Sequence, residues 1–414
     1  MRLLANLFLL LFLADGGLSL IDEGLRAAIG ADTLASVRES VAVAVTLLAI
    51  LFLFLLGIDR RLPKRIFFPL IAFALWGAVA FWPLSVMVDD AGFSLLAALA
   101  QLLLALAAMA WLRLRGGRLL LTPAMLPGPL FRLRHTLTFA AVCLVLLPFV
   151  LIFFALASVG TYLEQKTAGF MRLTPAGIYM TERVYRQGDK TIRLAGMMHV
   201  GKEEYYQELA DSIRPGRTIV LAEGVSDNDH LLQNRFDYSG VGEALGLVTQ
   251  DTLKFDGRLI SLAEIDQPGG AQDEPAGLHI LRADVDINRF DPRTVEFLNM
   301  LGKTLLNSDA AGSGMRDYNA WAARHMTPEL MRTLMGDILD LRNGELVRVL
   351  LLTLDRYDVV VIPWGALHMP GIEAAVIDRG FLYEEQHRRL SLDFRKIPYA
   401  RLLKRLAGAS GAGA

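Results

Sequence analysis

Apolar positions dominate the chain before about residue 160 and thin out after it. Four stretches, 41–57, 66–88, 93–111 and 137–159, approach the roughly 20 apolar residues that a bilayer crossing takes. A fifth run, 3–13, is shorter, and no small-residue cleavage site follows it, so it reads as a first, short or tilted membrane helix. Beyond residue 160 the pattern changes. "GIYMTERVYRQGDKTIRLAGMMHV" alternates around Gly188-Asp189 and predicts a β-hairpin. A helix is predicted over 202–213, a compact buried strand over 217–225 ("RTIVLAEGV") and a polar loop over 226–238. Another strand lies within 277–286, a helix over 292–306 and a flexible link over 308–314. Residues 315–354 read as helical, in pieces broken near Thr327-Pro328 and near Arg342-Asn343. "YDVVVIPW" is a second buried strand, followed by a helix over 370–379 and edge strands within 381–394. Strands alternating with helices mean an α/β fold. The expected architecture is an N-terminal bundle of four to five transmembrane helices (1–160), a soluble α/β domain with a central mixed sheet (161–400) and a frayed basic tail (401–414).

Composition sharpens the division. The 414 residues are 53% hydrophobic, and mean hydropathy is +0.39, too apolar for an ordinary soluble protein. Formal net charge is −1, so nothing in the global balance points to nucleic acid. Cys143 is the one cysteine, which excludes an intrachain disulfide and a cysteine-based zinc site. Loop charge predicts orientation. Arg60, Arg61, Lys64 and Arg65 follow one apolar run, and Arg113, Arg115, Arg118, Arg132 and Arg134 follow another; both loops are expected in the cytoplasm. Asp89 and Asp90, and the acidic segment 15–39 with Asp22, Glu23 and Asp32, are expected outside. The chain then reads as a multi-pass protein of a bacterial inner membrane with everything after residue 160 extracytoplasmic. No apolar run carries a row of ionisable residues, which gives a transport pathway little support. Gln101 reads as a helix–helix hydrogen-bonding residue.

Two segments share one design. "IRLAGMMHV" and "VVVIPWGALHM" each run from an apolar strand through Gly-x-x-His into a predicted helix. Gly196 and Gly365 remove a Cβ where the chain must bend or approach a ligand. His199 and His368 fall near helix starts, where the dipole disfavours imidazolium and favours the neutral ring that a metal ligand or general base requires. In open α/β sheets ligands gather beyond the carboxyl ends of the strands, so two such strands can each deliver half of one site. Glu223 ends the "IVLAEG" strand, where a carboxylate is costly unless paired or catalytic. Asp284 and Asp286 sit near the end of another. Arg342, beside Asn343, can clamp a carboxylate or an oxyanion, or be a plain helix-end charge. Asp227, Asp229 and His230 in "SDNDH" offer a rival cation site, or a solvated loop. His135, beside the basic loop, reads as added interfacial polarity, and His279, His325 and His387 have no evident partners in sequence.

"GMMHV" with its following helix, "VLAEG", "LRN" and "GALHMPGI", in that order, resemble the TraB/PrgY/GumN/TIKI group, part of a wider superfamily with erythromycin-esterase-like and ChaN-like proteins. The resemblance spans roughly 191–380 and leaves out the membrane half. It implies an α/β domain in which both Gly-x-x-His motifs, the strand-end glutamate and the arginine meet in one cleft; in the TIKI branch that cleft serves a metal-dependent peptidase acting outside the cell. Carried over, His199 and His368 would be ligands of a divalent metal ion or bases, and Glu223 a ligand or general base. Arg342 would orient Glu223 or stabilise negative charge, Asn343 would hold the attacking water, and Asp284 would fill a further acidic position. The chain departs from the group in placing its membrane helices before the domain, and "ADVDI" matches only loosely. The expectation is a membrane-anchored, metal-dependent hydrolase acting on a peptide or protein. The alternative is a receptor or regulator holding a peptide, or haem through a histidine, in the same pocket. A transport-related protein with a soluble accessory domain is a third reading.

Overall fold

The computed structural model describes residues 1–29, 34–88, 92–233, 247–250, 255–266, 277–304 and 311–400. It divides into two compact units, Met1–Tyr162 and Leu163–Ala414. The expected tail, 401–414, lies outside the described residues, as do Asp32, Asp89, Asp90 and part of the expected 226–238 loop.

The first unit is helical: α1 (Arg2–Ile29), α2 (Ala35–Ile58), α3 (Lys64–Gly77), α4 (Leu84–Val88), α5 (Phe93–Gly116) and α6 (Leu133–Lys166), whose last residues pass into the second unit. Four are long and apolar enough to cross a membrane, over Arg2–Arg26, Ala35–Ile58, Phe93–Gly116 and Leu133–Lys166. Two expectations are corrected. The short 3–13 run belongs to one continuous helix of 28 residues. Gly16 does not end it; a Cβ there would stand 3.2 Å from Gln101 Cγ and from the Leu102 backbone, so Gly16 lets α1 and α5 approach closely. The 66–88 run, in turn, is not one span. With 14 residues, α3 reaches about 21 Å, short of a roughly 30 Å hydrocarbon core. The chain then turns through Ala80 and Phe81, both at positive φ, before α4. Phe8, Phe12, Phe52 and Phe67 centre the core of this unit.

The second unit is an α/β domain with a mixed sheet. Its elements are β1 (Met171–Thr174), β2 (Gly177–Gln187), β3 (Lys190–Met197), β4 (Val200–Gly201), α7 (Glu203–Asp211), β5 (Arg217–Ala222), β6 (Val248–Thr249), β7 (Arg258–Ile260), α8 (Leu262–Asp266), β8 (Gly277–Arg282), α9 (Pro292–Thr304), α10 (Ala311–His325), α11 (Pro328–Met335), α12 (Arg342–Leu354), β9 (Val359–Gly365), α13 (Met369–Ile377) and β10 (Leu382–Asp393). The main sheet runs β1-β2-β3-β9-β5-β8-β7, with β10 also on β2. The β3, β9, β5, β8 and β7 pairings are parallel, and those of β1, β2 and β10 are antiparallel. The predicted hairpin is β2–β3, closed at Gln187↔Lys190 with Gly188 at φ +59°. Parallel strands buried on both faces read as continuous apolar runs, and Ile219, Val220, Leu221, Val360, Val361 and Ile362 are fully buried. Tyr206 and Leu209 of α7, Leu346 and Leu350 of α12, and Ile372 and Val376 of α13 share a core with Ile219, Leu221, Val360 and Ile362, while Val220 and Val361 cluster with Ile213 and Leu278.

The break expected at Thr327-Pro328 is present: Thr327 caps α11, its hydroxyl accepting from Leu330 N, and Pro328 takes the first turn. The break expected at Arg342-Asn343 is not. A π-helical segment, Gly336–Leu341, joins α11 to α12 without interruption. Such segments recur at functional sites, and this one ends at Arg342. The link expected over 308–314 is already helical from Ala311.

Candidate functional site

The two Gly-x-x-His motifs leave neighbouring parallel strands. Gly196 pairs with Trp364 and Met197 with Gly365, and Ala366 N donates to Met197 O at 3.0 Å. Next to β9 lies β5, with Glu223 immediately after it, and next to β5 lies β8, with Asp284 two residues beyond. The parallel register therefore brings His199, His368, Glu223 and Asp284 to the carboxyl end of one sheet. Helix α12 adds Arg342 and Asn343 from its first turn.

Arg342 is the hub. Its Nε donates to Asp284 Oδ1 at 3.0 Å, its Nη2 to Asp284 Oδ2 at 2.7 Å and to Glu223 Oε1 at 2.8 Å, and its Nη1 meets His368 Nε2 at 3.2 Å. Each carboxylate is held from its other side as well. Glu223 Oε2 accepts from Gly365 N at 2.7 Å, and Asp284 accepts from Gly224 N and Val285 N, both at 2.9 Å. Trp364 lies beneath the cluster: the Arg342 Cζ is 5.3 Å from its ring centroid, and the His368 ring meets it edge-on at 5.2 Å. The side chain of Asp284 is fully buried and that of Arg342 only 11% exposed. Burial alone would lower the Arg342 pKa, but Asp284 and then Glu223 outweigh it and raise it, so the guanidinium stays charged.

His368 is neutral. Burial, then the adjacent Arg342 charge, with a smaller push from His199, outweigh the pull of Glu223 and Asp284 and bring its pKa down to about 4. Its tautomer follows from its partners. Asn343 Oδ1 lies 2.8 Å from His368 Nδ1, which makes Nδ1 the protonated nitrogen and leaves Nε2 to accept from Arg342. Asn343 Nδ2 reaches His368 O at 3.4 Å. Asn343 thus holds the ring. His199 differs from His368 in being exposed, on the turn between β3 and β4, near enough for its charge to reach His368.

The glycines act differently from expectation. A Cβ on Gly196 would meet Phe170 Cβ at 3.1 Å and Phe170 O at 3.2 Å, so Gly196 serves packing inside the strand, not a ligand. Gly365 leaves room over Glu223, whose oxygens would lie 3.6 and 3.7 Å from an added Cβ. The "SDNDH" loop is held together internally: Asp227 accepts from Leu231 N and Leu232 N, and Asp229 accepts from Asn288 Nδ2. Asp286 accepts from Ser226 Oγ at 2.8 Å and caps the short turn Ile287–Arg289. Of the remaining histidines, His279 Nδ1 meets the Tyr357 hydroxyl at 2.7 Å and His325 Nδ1 the Trp321 carbonyl at 2.9 Å. Trp364 was missed in sequence, although a tryptophan in the strand just before Gly-x-x-His was its signal.

A divalent ion on His199, His368 and Glu223 would need lone pairs that are already engaged. His368 Nε2 and Glu223 Oε1 both face the Arg342 guanidinium, and Glu223 Oε2 faces a backbone N–H. Among the described residues no group of three His, Cys, Asp or Glu side chains is placed to hold a metal ion. As arranged, the donor set does not fit a divalent metal; the positive charge between the carboxylates is the guanidinium. Comparison with family models, with curated proteins and with solved structures finds no match to this chain.

Proposed function

We propose that the second unit is a hydrolase domain of the TraB/PrgY/GumN/TIKI kind, acting on an acyl bond of a peptide or protein, and that the helices of the first unit anchor it in a bacterial inner membrane. The observation that carries this reading is the meeting of Glu223, Asp284, Arg342 and His368 beside His199, where parallel strands end and ligands of open α/β sheets bind. Four of the five N–H groups of Arg342 are used by its contacts, and one on Nη1 remains for a substrate oxygen. His199, exposed at the rim, takes a proton from water. The water oxygen attacks the acyl carbon, the carbonyl oxygen gains negative charge against Arg342, and His199 returns the proton to the leaving group as the acyl bond breaks. Glu223 and Asp284 position Arg342, and Asn343 and Arg342 fix the His368 ring. No step passes through a metal ion.

An outward-facing domain is supported by the basic loops at 60–65 and 113–134. Both lie on the cytoplasmic side if α3 and α4 together traverse the membrane once, and α6 then leads outward.

The test is turnover by the purified full-length protein in detergent, screened against unstructured peptides and aryl esters. His199→Ala should lower turnover by about 10²–10⁴-fold, the range of a lost general base, with melting unchanged. Full activity in His199→Ala would end the proposed mechanism. Saturable peptide binding with no turnover in the wild type would favour the receptor reading instead.

A further inference from the structure

The continuity of α1 reveals a polar row that the sequence pattern concealed. Asp15, Ser19, Asp22 and Glu23 follow at helical spacing along one face. Asp15 is only 7% exposed, Asp22 fully buried and Glu23 9% exposed, within a helix apolar enough to cross a membrane. The absence of buried ionisable residues expected for the membrane half is therefore corrected. Arg38 of α2 is shared between Asp22, at 3.2 Å, and Glu23, at 2.9 Å. Among the described residues Asp15 makes no salt bridge: its Oδ2 accepts from Gln101 Nε2 at 2.7 Å, while its Oδ1 is buried with no hydrogen-bond partner. Ionised or protonated, that oxygen wants a polar neighbour, and leaving it without one costs about 1–3 kcal/mol or more.

Asp15 and Glu23 line a cavity of about 590 Å³ within this unit. Its other walls include Arg38, which is paired with Glu23, a further carboxylate, Glu39, and the rings of Phe73, Phe81 and Phe93, with Phe73–Phe81 centroids 4.9 Å apart and Phe81–Phe93 6.2 Å. A carboxylate at one wall and aromatic faces at the others suit a cation attached to an apolar body, and ionisable residues inside a membrane bundle mark functional sites by default. We propose that this cavity is a binding site for a small protonated amine bearing an apolar group, whose positive charge is met by the Asp15 carboxylate at the cavity wall. The site belongs to the first unit alone and stands apart from the hydrolase reading.

The experiment is calorimetric titration of the full-length protein in detergent with 2-phenylethylammonium chloride, with 2-phenylethanol as the neutral analogue of equal size. Saturable binding of the amine, at least about tenfold weaker binding of the alcohol, and about ten- to hundredfold loss of amine affinity in Asp15→Asn are expected from a lost charge-assisted hydrogen bond. Equal binding of amine and alcohol by the wild type would mean an apolar cleft over a protonated acid and would overturn the proposal. So would no saturable amine binding, or unchanged affinity in Asp15→Asn. The wild-type comparison decides the matter even if the variant fails to fold.

Discussion

Acidification below pH 6.5 should loosen the second unit through His368, by an amount the structure sets. The ring titrates at about 4 in the fold against 6.5 in an unfolded chain, because burial and the Arg342 charge oppose its protonation. Between those values the unfolded chain binds a proton that the folded one refuses, so stability falls as pH falls from 6.5 to 4 and this contribution is flat below 4. Two and a half pH units at about 1.4 kcal/mol each amount to about 3 kcal/mol. The side chain is 5% exposed, so solvent screening takes little from that figure. Carboxylates titrate in the same range, and a His368→Gln variant separates them. The measurement is hydrogen–deuterium exchange of peptides from β9 and α13 in the full-length protein, corrected for intrinsic rates, in wild type and variant. The protection of the wild type relative to the variant should drop by a factor of roughly one to three hundred between pH 6.5 and 4, the equivalent of that free energy. Parallel curves over this window would refute the neutral, arginine-facing histidine.

Arg342→Ala leaves Asp284 and Glu223 buried without a counter-ion and should cost about 3–5 kcal/mol. Arg342→Lys keeps the charge but not the fork that reaches three partners and should recover only part of the loss. Thermal melts followed by circular dichroism read both, and a wild-type melt for Arg342→Ala would contradict the hub. Metal content after purification should be well below one ion per chain, with turnover surviving prolonged dialysis against EDTA; turnover lost to the chelator and restored by zinc or manganese would reinstate a metal centre. In spheroplasts, added protease should digest the second unit, and in inverted membrane vesicles it should not; the opposite pattern would reverse the proposed orientation.

The site was legible in sequence because its residues announce themselves locally. A glutamate closing an apolar strand and two Gly-x-x-His turns are visible without knowing which strands are neighbours. The pairing partners were not visible. Asp284 Oδ2 bonding Arg342 rests on β5 lying between β9 and β8, a long-range register that no local pattern states. The π segment hid for a related reason: a single extra residue per turn leaves helical periodicity nearly intact over 336–341, and a break was expected instead just after it, near Arg342-Asn343. In the first unit too an expected end proved to be continuous helix. The apolar run 3–13 read as a short helix, and the Asp15-Gly16-Gly17 that follows it is made of poor helix formers. Packing overrode propensity there, because the missing side chain of Gly16 is what admits α5. Reading that break as real moved Asp22 and Glu23 into a loop, and the polar face of α1 vanished with it.

The repeated strand–glycine–histidine unit ends in two unlike histidines, and the difference follows from sheet position. Strand β9 has parallel neighbours on both sides, β3 and β5. What leaves its carboxyl end meets Glu223 from one side and α12 from above, so His368 is walled in and its two nitrogens are spoken for by Asn343 and Arg342. Strand β3 has β9 on one side and antiparallel β2 on the other. The β2 hairpin partner brings no strand-end carboxylate to that side, so His199 stays at the surface. A buried ring with a pKa near 4 is a poor proton acceptor at neutral pH. The unit occurs twice, and its place in the sheet buries one ring against Arg342 and leaves the other exposed.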